Sequence, residues 1–215
     1  MSATPQIARS EFILGGQKSG KSRRAELLAR QWLDADPAHR AVLIATAQPW
    51  DDEMRQRIVR HQADRAVRVP GMHTVEEPLQ LAQAITQHSR ADTLVVVDCL
   101  TLWLTNSLMP APEQSAQPLG ASGDTDPGLP QIHESNSPFR HMETAQAAPL
   151  LIAIAQAPGP VVLVGNEIGL GVIPMGAQVR AFVDALGKLN QDVAATCERV
   201  TLMVAGLPLT LKGMA

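Results

Sequence analysis

The residues Gly15-Gly16-Gln17-Lys18-Ser19-Gly20-Lys21-Ser22 follow the pattern G-x-x-x-x-G-K-[ST], and the chemistry of that pattern is the cradling of a polyphosphate. Its glycines let backbone N–H groups turn inward, and the start of the following helix adds partial positive charge. Lys21 reaches the β and γ phosphates, and Ser22 offers an oxygen to Mg²⁺. Asp98 closes the apolar run Thr93–Asp98 (TLVVVD), the position and residue type of a Walker B carboxylate that holds Mg²⁺ directly or through water. Alone, an Asp at that place is a common cap of a strand. Beside a phosphate-binding loop it has a metal to serve.

A third constellation starts at Thr46, Ala47 and Gln48 and runs to Arg65. Asp51, Asp52 and Glu53 suit the electropositive first turn of a helix. Met54, Ile58 and His61 are spaced i, i+4, i+7, so His61 reads as a packed histidine that continues an apolar stripe. Arg57, Arg60 and Arg65 also lie within about two turns of it, a set suited to receiving phosphates. A histidine that forms a phosphoramidate needs such neighbours, because the attacked phosphorus must have its charge offset. Spacing leaves both readings open. The same holds for Gly165–Pro174 (GNEIGLGVIP), which brings Asn166 and Glu167 to the end of a strand, and for Lys188-Leu189-Asn190-Gln191.

The elements that must position these groups are legible as apolar runs over Glu11–Leu14, Ala41–Thr46, Thr93–Asp98, Val161–Asn166 and Arg199–Ala205. They lack polar alternation, as strands covered on both faces of a parallel sheet do. Helices are predicted over Lys21–Asp34, Asp51–Arg65, Glu77–Ser89 and Gly176–Cys197. Such alternation predicts a three-layer, doubly wound α/β fold with a mostly parallel sheet, whose ligands gather at the carboxyl ends of the strands. Met109–Ala148 is dense in Pro, Gly, Ser and Gln and is expected to be a mobile insertion in a single domain spanning residues 1–215. Phe139–Gln156 regains apolar content and predicts a helix interrupted at Pro149.

Composition narrows the function. A chain of 215 residues, 45% of them apolar, suits one domain with a sizeable core. Its net charge of -3, with three Phe, three Trp and no Tyr, provides neither an electrostatic footprint nor stacking platforms for nucleic acid. Cys99 and Cys197 are too few and too far apart for a disulfide framework or a zinc site, and both are expected to be buried thiols in a reducing compartment. No apolar run of 18 residues occurs and the first ten residues lack an apolar core, so neither a membrane span nor a secretion signal is expected, and the expected location is cytoplasmic.

In this order, ILGGQKSGKSRRAE, IATAQPWDDEMRQRIVRHQADR, VVVDCLTLWLTN, VVLVGNEIGLGVIP and LGKLNQDVAATCERVTLMVAGLPLTLK resemble a family of cobalamin biosynthesis, the bifunctional adenosylcobinamide kinase / adenosylcobinamide-phosphate guanylyltransferases. The likeness covers nearly the whole chain apart from the first ten residues and the insertion. It implies a P-loop NTPase fold of the RecA-like kind, a homotrimer, and ATP, GTP and Mg²⁺ as cofactors. The implied reactions are phosphorylation of the aminopropanol hydroxyl of adenosylcobinamide, then transfer of GMP from GTP onto that phosphate with release of pyrophosphate. His61 matches the histidine that carries GMP in the family. Lys21 and Asp98 complete the implied catalytic set, with Ser22 and Asp98 toward the metal. The implied nucleotide contacts are Gly15 to Ser22, Thr46, Ala47, Gln48, Gln62, Ala63, Asp64, Arg65, Glu76 and Asp98.

Three departures accompany the likeness. The family's W-x-T-x-E pattern here reads Met72-His73-Thr74-Val75-Glu76, which makes Glu76 the candidate glutamate and leaves Glu77 as its alternative. Gly165 stands where the family usually has Ser or Thr, and the insertion exceeds the usual connection. Two rivals stay open: a guanylyltransferase that has lost its kinase activity, and a RecA-like regulatory module that hydrolyses nucleotide without forming covalent GMP.

Overall fold

The computed structural model describes residues 7–49, 51–108, 138–172 and 175–213. Trp50, Ile173, Pro174 and the expected insertion as far as residue 137 lie outside the described residues. One seven-stranded sheet has the order β3-β2-β4-β5-β1-β6-β7. Its strands are β1 (Ser10–Gly15), β2 (Arg40–Ala45), β3 (Met72–Glu76), β4 (Thr93–Asp98), β5 (Val161–Asn166), β6 (Arg199–Val204) and β7 (Leu207–Lys212). All neighbours pair parallel except the antiparallel β6 and β7. The helices are α1 (Lys21–Ala35), α2 (Asp52–Arg68), α3 (Leu81–His88), α4 (Leu100–Leu108), α5 (Pro138–Gln156) and α6 (Ala177–Thr196).

Strand residues alternate between two cores, because successive side chains leave opposite faces of a strand. Phe12, Val95, Val97 and Leu163 pack with Ile85, Trp103, Leu150 and Leu186 from the helices of one face. Ile13, Leu94, Val96 and Val162 pack with Ala25, Leu28 and Ala29 of α1 on the other. This gives the three layers expected. The strand that enters the phosphate loop and the strand that ends in Asp98 are separated by β5.

The apolar runs predict five strands, and seven are present among the described residues. In β3, His73 and Thr74 interrupt the apolar character, and no residue is fully buried. β7 alternates Leu207, Leu209 and Leu211 with Pro208 and Thr210 at an exposed antiparallel edge, so it lacks the continuous apolar run of a strand covered on both faces. α4 was missed because LTLWLTNSL is apolar nearly all round and carries no helical period. The helix expected from Glu77 begins at Leu81, since the Glu77 carboxylate first accepts the N–H groups of Leu79 and Gln80 in a turn. α5 continues through Pro149 rather than stopping there, and the buried Leu150, Ala153 and Ile154 that follow anchor it on the core. That packing outweighs the backbone hydrogen bond that proline cannot make.

Gly165 also has a structural reason. A Cβ at that position would lie 2.8 Å from two ring atoms of Phe12, which is fully buried, and 3.5 Å from Asn190 Oδ1. The Phe12 ring takes the space that a serine or threonine would occupy. Gly165→Ser is therefore expected to destabilise the fold by about 1–3 kcal/mol through overpacking. In urea unfolding, Phe12→Leu should relieve that loss, so the double variant loses less stability than the sum of the two single variants.

Candidate active site

Register brings the candidate groups to one edge of the sheet. Glu76 lies opposite Ala45, Ala45 opposite Asp98, and Gly15 opposite Asn166. Backbone bonds then tie the outgoing segments across that edge, from Glu77 N to Ala45 O, Thr46 N to Asp98 O and Glu167 N to Gly15 O, at 2.9, 3.1 and 3.2 Å. Parallel strands thus end together, and everything that follows them shares one rim.

The phosphate loop is braced on that rim. A side chain on Gly15 would meet Met203 O and Ser19 Oγ at 2.6 Å, and Gly20 holds φ 100, which an L side chain rarely adopts. Gly206, in the turn between β6 and β7, donates its N–H to Ser19 O at 3.1 Å. The first turn of α1 has no acidic residue and no side-chain cap, whereas α2 has the Asp51 cap on Met54 N together with Asp52 and Glu53 in its first turn. The start of α1 thus carries no negative charge of its own that would oppose an anion there. Lys21, buried at the start of that turn, donates from Nζ to Gly16 O at 2.6 Å. Burial lowers its pKa; the Asp98 carboxylate opposes that shift, and the Arg57 guanidinium adds to it. The half-buried Ser22 follows in the same turn. Gly16, Gln17 and Lys18 form the exposed crest of the loop.

Thr46 has a different use from nucleotide contact through its hydroxyl. That hydroxyl is fully buried, donates to Cys99 O at 2.7 Å and accepts from Cys99 N at 2.9 Å, locking the segment after Asp98 to the end of β2. Ala47 and Gln48 follow, half-buried. α4, which the sequence did not reveal, completes the bracket. Asn106 Nδ2 donates to Thr46 O and Pro78 O, Thr101 Oγ1 accepts from Asn166 N, and Trp103 Nε1 donates to Leu79 O. On the far side Asn190 Nδ2 donates to Asn166 O, which gives the LNQD segment a positioning role; Glu167 Oε1 accepts from Gly169 N within its own loop.

α2 carries the remaining candidates and buries none of its residues. His61 is exposed, so it is not the packed histidine that an apolar stripe predicted. The helix is fixed by its far end. Arg68 Nε lies 2.6 Å from Oε2 of the buried Glu26 in α1, and Arg30 Nη1 donates to Arg68 O. Arg57, His61, Arg65 and Arg68 fall within about 80° of one helix face at 3.6 residues per turn. Arg60 lies outside that column. Arg65 is half-buried, and its Nη1 is buried with no hydrogen-bond partner among the described residues. Burial lowers its pKa, while Asp98 and Glu26 pull it upward. A buried N–H without a partner is costly unless a ligand oxygen meets it. Gln62 Nε2 donates to Glu76 Oε1 at 3.3 Å, while the Glu77 carboxylate is engaged in its turn. Glu76 is thus the glutamate presented to α2, and Ala63 and Asp64 are exposed beside it, with Asp64 3.8 Å from Arg68.

Comparison with known families matches residues 11–211 to the model described as cobinamide kinase / cobinamide phosphate guanyltransferase. The chain belongs to that family. Curated relatives agree: it is 41% identical to the bifunctional adenosylcobalamin biosynthesis protein CobP of Pseudomonas aeruginosa, over 94% of this chain and 97% of that protein. It is 32% identical to the bifunctional adenosylcobalamin biosynthesis protein CobU of Escherichia coli, over 94% of this chain and 98% of that protein. Membership in the cobinamide kinase / guanyltransferase family makes the chain a bifunctional transferase of cobalamin biosynthesis. No helix among the described residues is long and apolar enough to cross a membrane.

In this family member Cys99, next to Asp98, is a packing residue. Burial pushes its thiol up to about 12, and burial does the same to Cys197. Both contributions to stability are intact below pH 9 and are lost as pH rises toward 12, because the unfolded chain ionises first. At pH 8, iodoacetamide should leave both thiols of the native protein unmodified and label both after unfolding in urea, as intact-mass measurement would read.

Proposed function

We propose that both reactions run at the rim formed by the phosphate loop, Asp98 and the column of α2, in a cytoplasmic homotrimer, with His61 as the carrier of GMP. One observation carries this reading: His61 is exposed on the same helix face as Arg65, whose buried Nη1 has no hydrogen-bond partner among the described residues and lies within the field of Asp98. In the kinase step the loop amides and Lys21 hold the nucleotide's phosphates. The γ-phosphoryl group passes to the aminopropanol hydroxyl of adenosylcobinamide, with ATP or GTP as donor. In the second reaction an imidazole nitrogen of His61 attacks the α-phosphorus of GTP. The N–P bond forms, the bond to the β-phosphate oxygen breaks, and pyrophosphate leaves. A phosphate oxygen of adenosylcobinamide phosphate then attacks the same phosphorus, releasing adenosylcobinamide-GDP and freeing His61.

Mg²⁺ would be held by Ser22 and Asp98. The donors fit it, since a carboxylate and a hydroxyl beside a phosphate cradle are what a cation that keeps several waters requires. When bound, it offsets charge on the phosphates. Gly15 to Ser22, Gln48, Gln62, Arg65 and Glu76 are the nucleotide-facing set, while Thr46 acts by holding the rim. The exposed Leu207, Leu209 and Leu211 of β7 supply an apolar face suited to a neighbouring subunit.

Incubation with Mg²⁺ and GTP labelled at the α phosphate should leave acid-labile, alkali-stable label on the protein and none on His61→Ala. Lys21→Ala should lose both this label and corrinoid phosphorylation, because one loop serves both. Wild-type protein that binds GTP but takes no label would overturn the covalent reading, and full labelling of Lys21→Ala would overturn the shared site.

A further inference from the structure

On the reading above, GMP passes through His61, and the phosphorus it attacks always has a second phosphate on its far side. In the forward step this is the β-phosphate of GTP. In the discharge it is the phosphate of the acceptor, which must enter where pyrophosphate left, since the histidine holds the opposite face. A cation that meets this second phosphate, in addition to Lys21, would therefore serve both half-reactions.

We propose that Arg57 is this cation: its guanidinium binds the phosphate opposite His61, first as the pyrophosphate leaving group and then as the incoming corrinoid phosphate. Helix geometry supports the assignment. Arg57 stands one turn before His61, and Arg65 one turn after it, on the same face. The direction of α2 is set by its far end, where Arg68 is paired with Glu26 of α1. That pair ties α2 to the helix that begins at Lys21. The charge of Arg57 reaches Lys21 of the phosphate loop, and the carboxylate of Asp98 acts on both Lys21 and Arg65, so the loop, Asp98 and the two ends of the column share one electrostatic neighbourhood. Arg57 is exposed and no hydrogen bond or ion pair within the chain engages it among the described residues, in contrast to Arg55, which lies 3.8 Å from Asp52 on the opposite face of the helix. A guanidinium matches two phosphate oxygens at once, and one with no partner in the chain has that fork available.

The test uses the full-length protein loaded with labelled GMP, including a variant loaded by prolonged incubation. Arg57→Gln should slow labelling by GTP, and discharge by pyrophosphate, by on the order of 10²-fold, the loss seen when one preorganised donor to a developing charge is removed. Discharge by hydroxylamine, which is neutral and brings no phosphate, should stay within about twofold of wild type by the same reasoning. Arg57→Lys should lie between, and Arg55→Gln should match wild type in every step. If Arg57→Gln slows pyrophosphate and hydroxylamine discharge alike, or slows neither, the assignment is wrong and Arg57 serves only the helix. If wild-type protein takes no label, the covalent reading fails and this proposal falls with it, an outcome distinct from labelled wild type with an unaffected Arg57 variant.

Discussion

The first turn of α1 begins with backbone N–H groups that no capping side chain meets among the described residues, and much of the fold serves to hold that turn still. An uncapped helix start is unfavourable until an anion meets it, so the chain around it must be over-determined. Three braces do this. Glu11, buried in β1, accepts from Arg24 of α1 and from Thr201 of β6 and faces Arg199, tying the helix to the two strands beneath it. The turn after β6 bonds to Ser19, and the segment after β5 bonds to Gly15. A buried carboxylate is costly by itself, and its cost is offset here only because two arginines and a hydroxyl surround it.

The opposite wall of the site is built on another principle. α2 buries no side chain, so hydrophobic packing does not place it. It is held by the Asp51 cap at one end and by Arg68 on the buried Glu26 at the other. Its apolar spacing is consequently misleading: Met54 and Ile58 are only half-buried, and the histidine in line with them faces outward. What α2 presents to the loop is charge, and a column of arginines around an accessible imidazole is suited to phosphate chemistry in a way that an oily stripe is not.

Between these walls, α4 acts as a bracket. Its Thr101, Trp103 and Asn106 bond to the backbone at Asn166, at Leu79, and at Thr46 and Pro78, and Asn190 bonds from α6 to the end of β5. None of these four is a conspicuous chemical residue. Their blocks, VVVDCLTLWLTN and LGKLNQD, were part of the family likeness, but their roles emerge only when the loops they hold are seen together. Gly165 is similar: its meaning lies in the ring of Phe12, which is remote in sequence and adjacent across the sheet.

The sequence by itself determined the phosphate loop, the strand that ends in Asp98, the alternation of strand and helix, and the block around His61. Those are local signals, since glycine spacing, apolar runs and helix caps act within a few residues of one another. It did not disclose β3, β7 or α4, whose stability comes from neighbours along the sheet and from bonds to distant loops rather than from their own pattern. Only the tertiary structure decided that His61 is exposed, that Thr46 spends its hydroxyl on Cys99, and that Glu76 rather than Glu77 is presented to α2. The partners of Thr46 and Glu76 are remote in sequence, and strand register together with the Arg68–Glu26 ion pair is what brings them into reach, while His61 is exposed because α2 buries none of its residues.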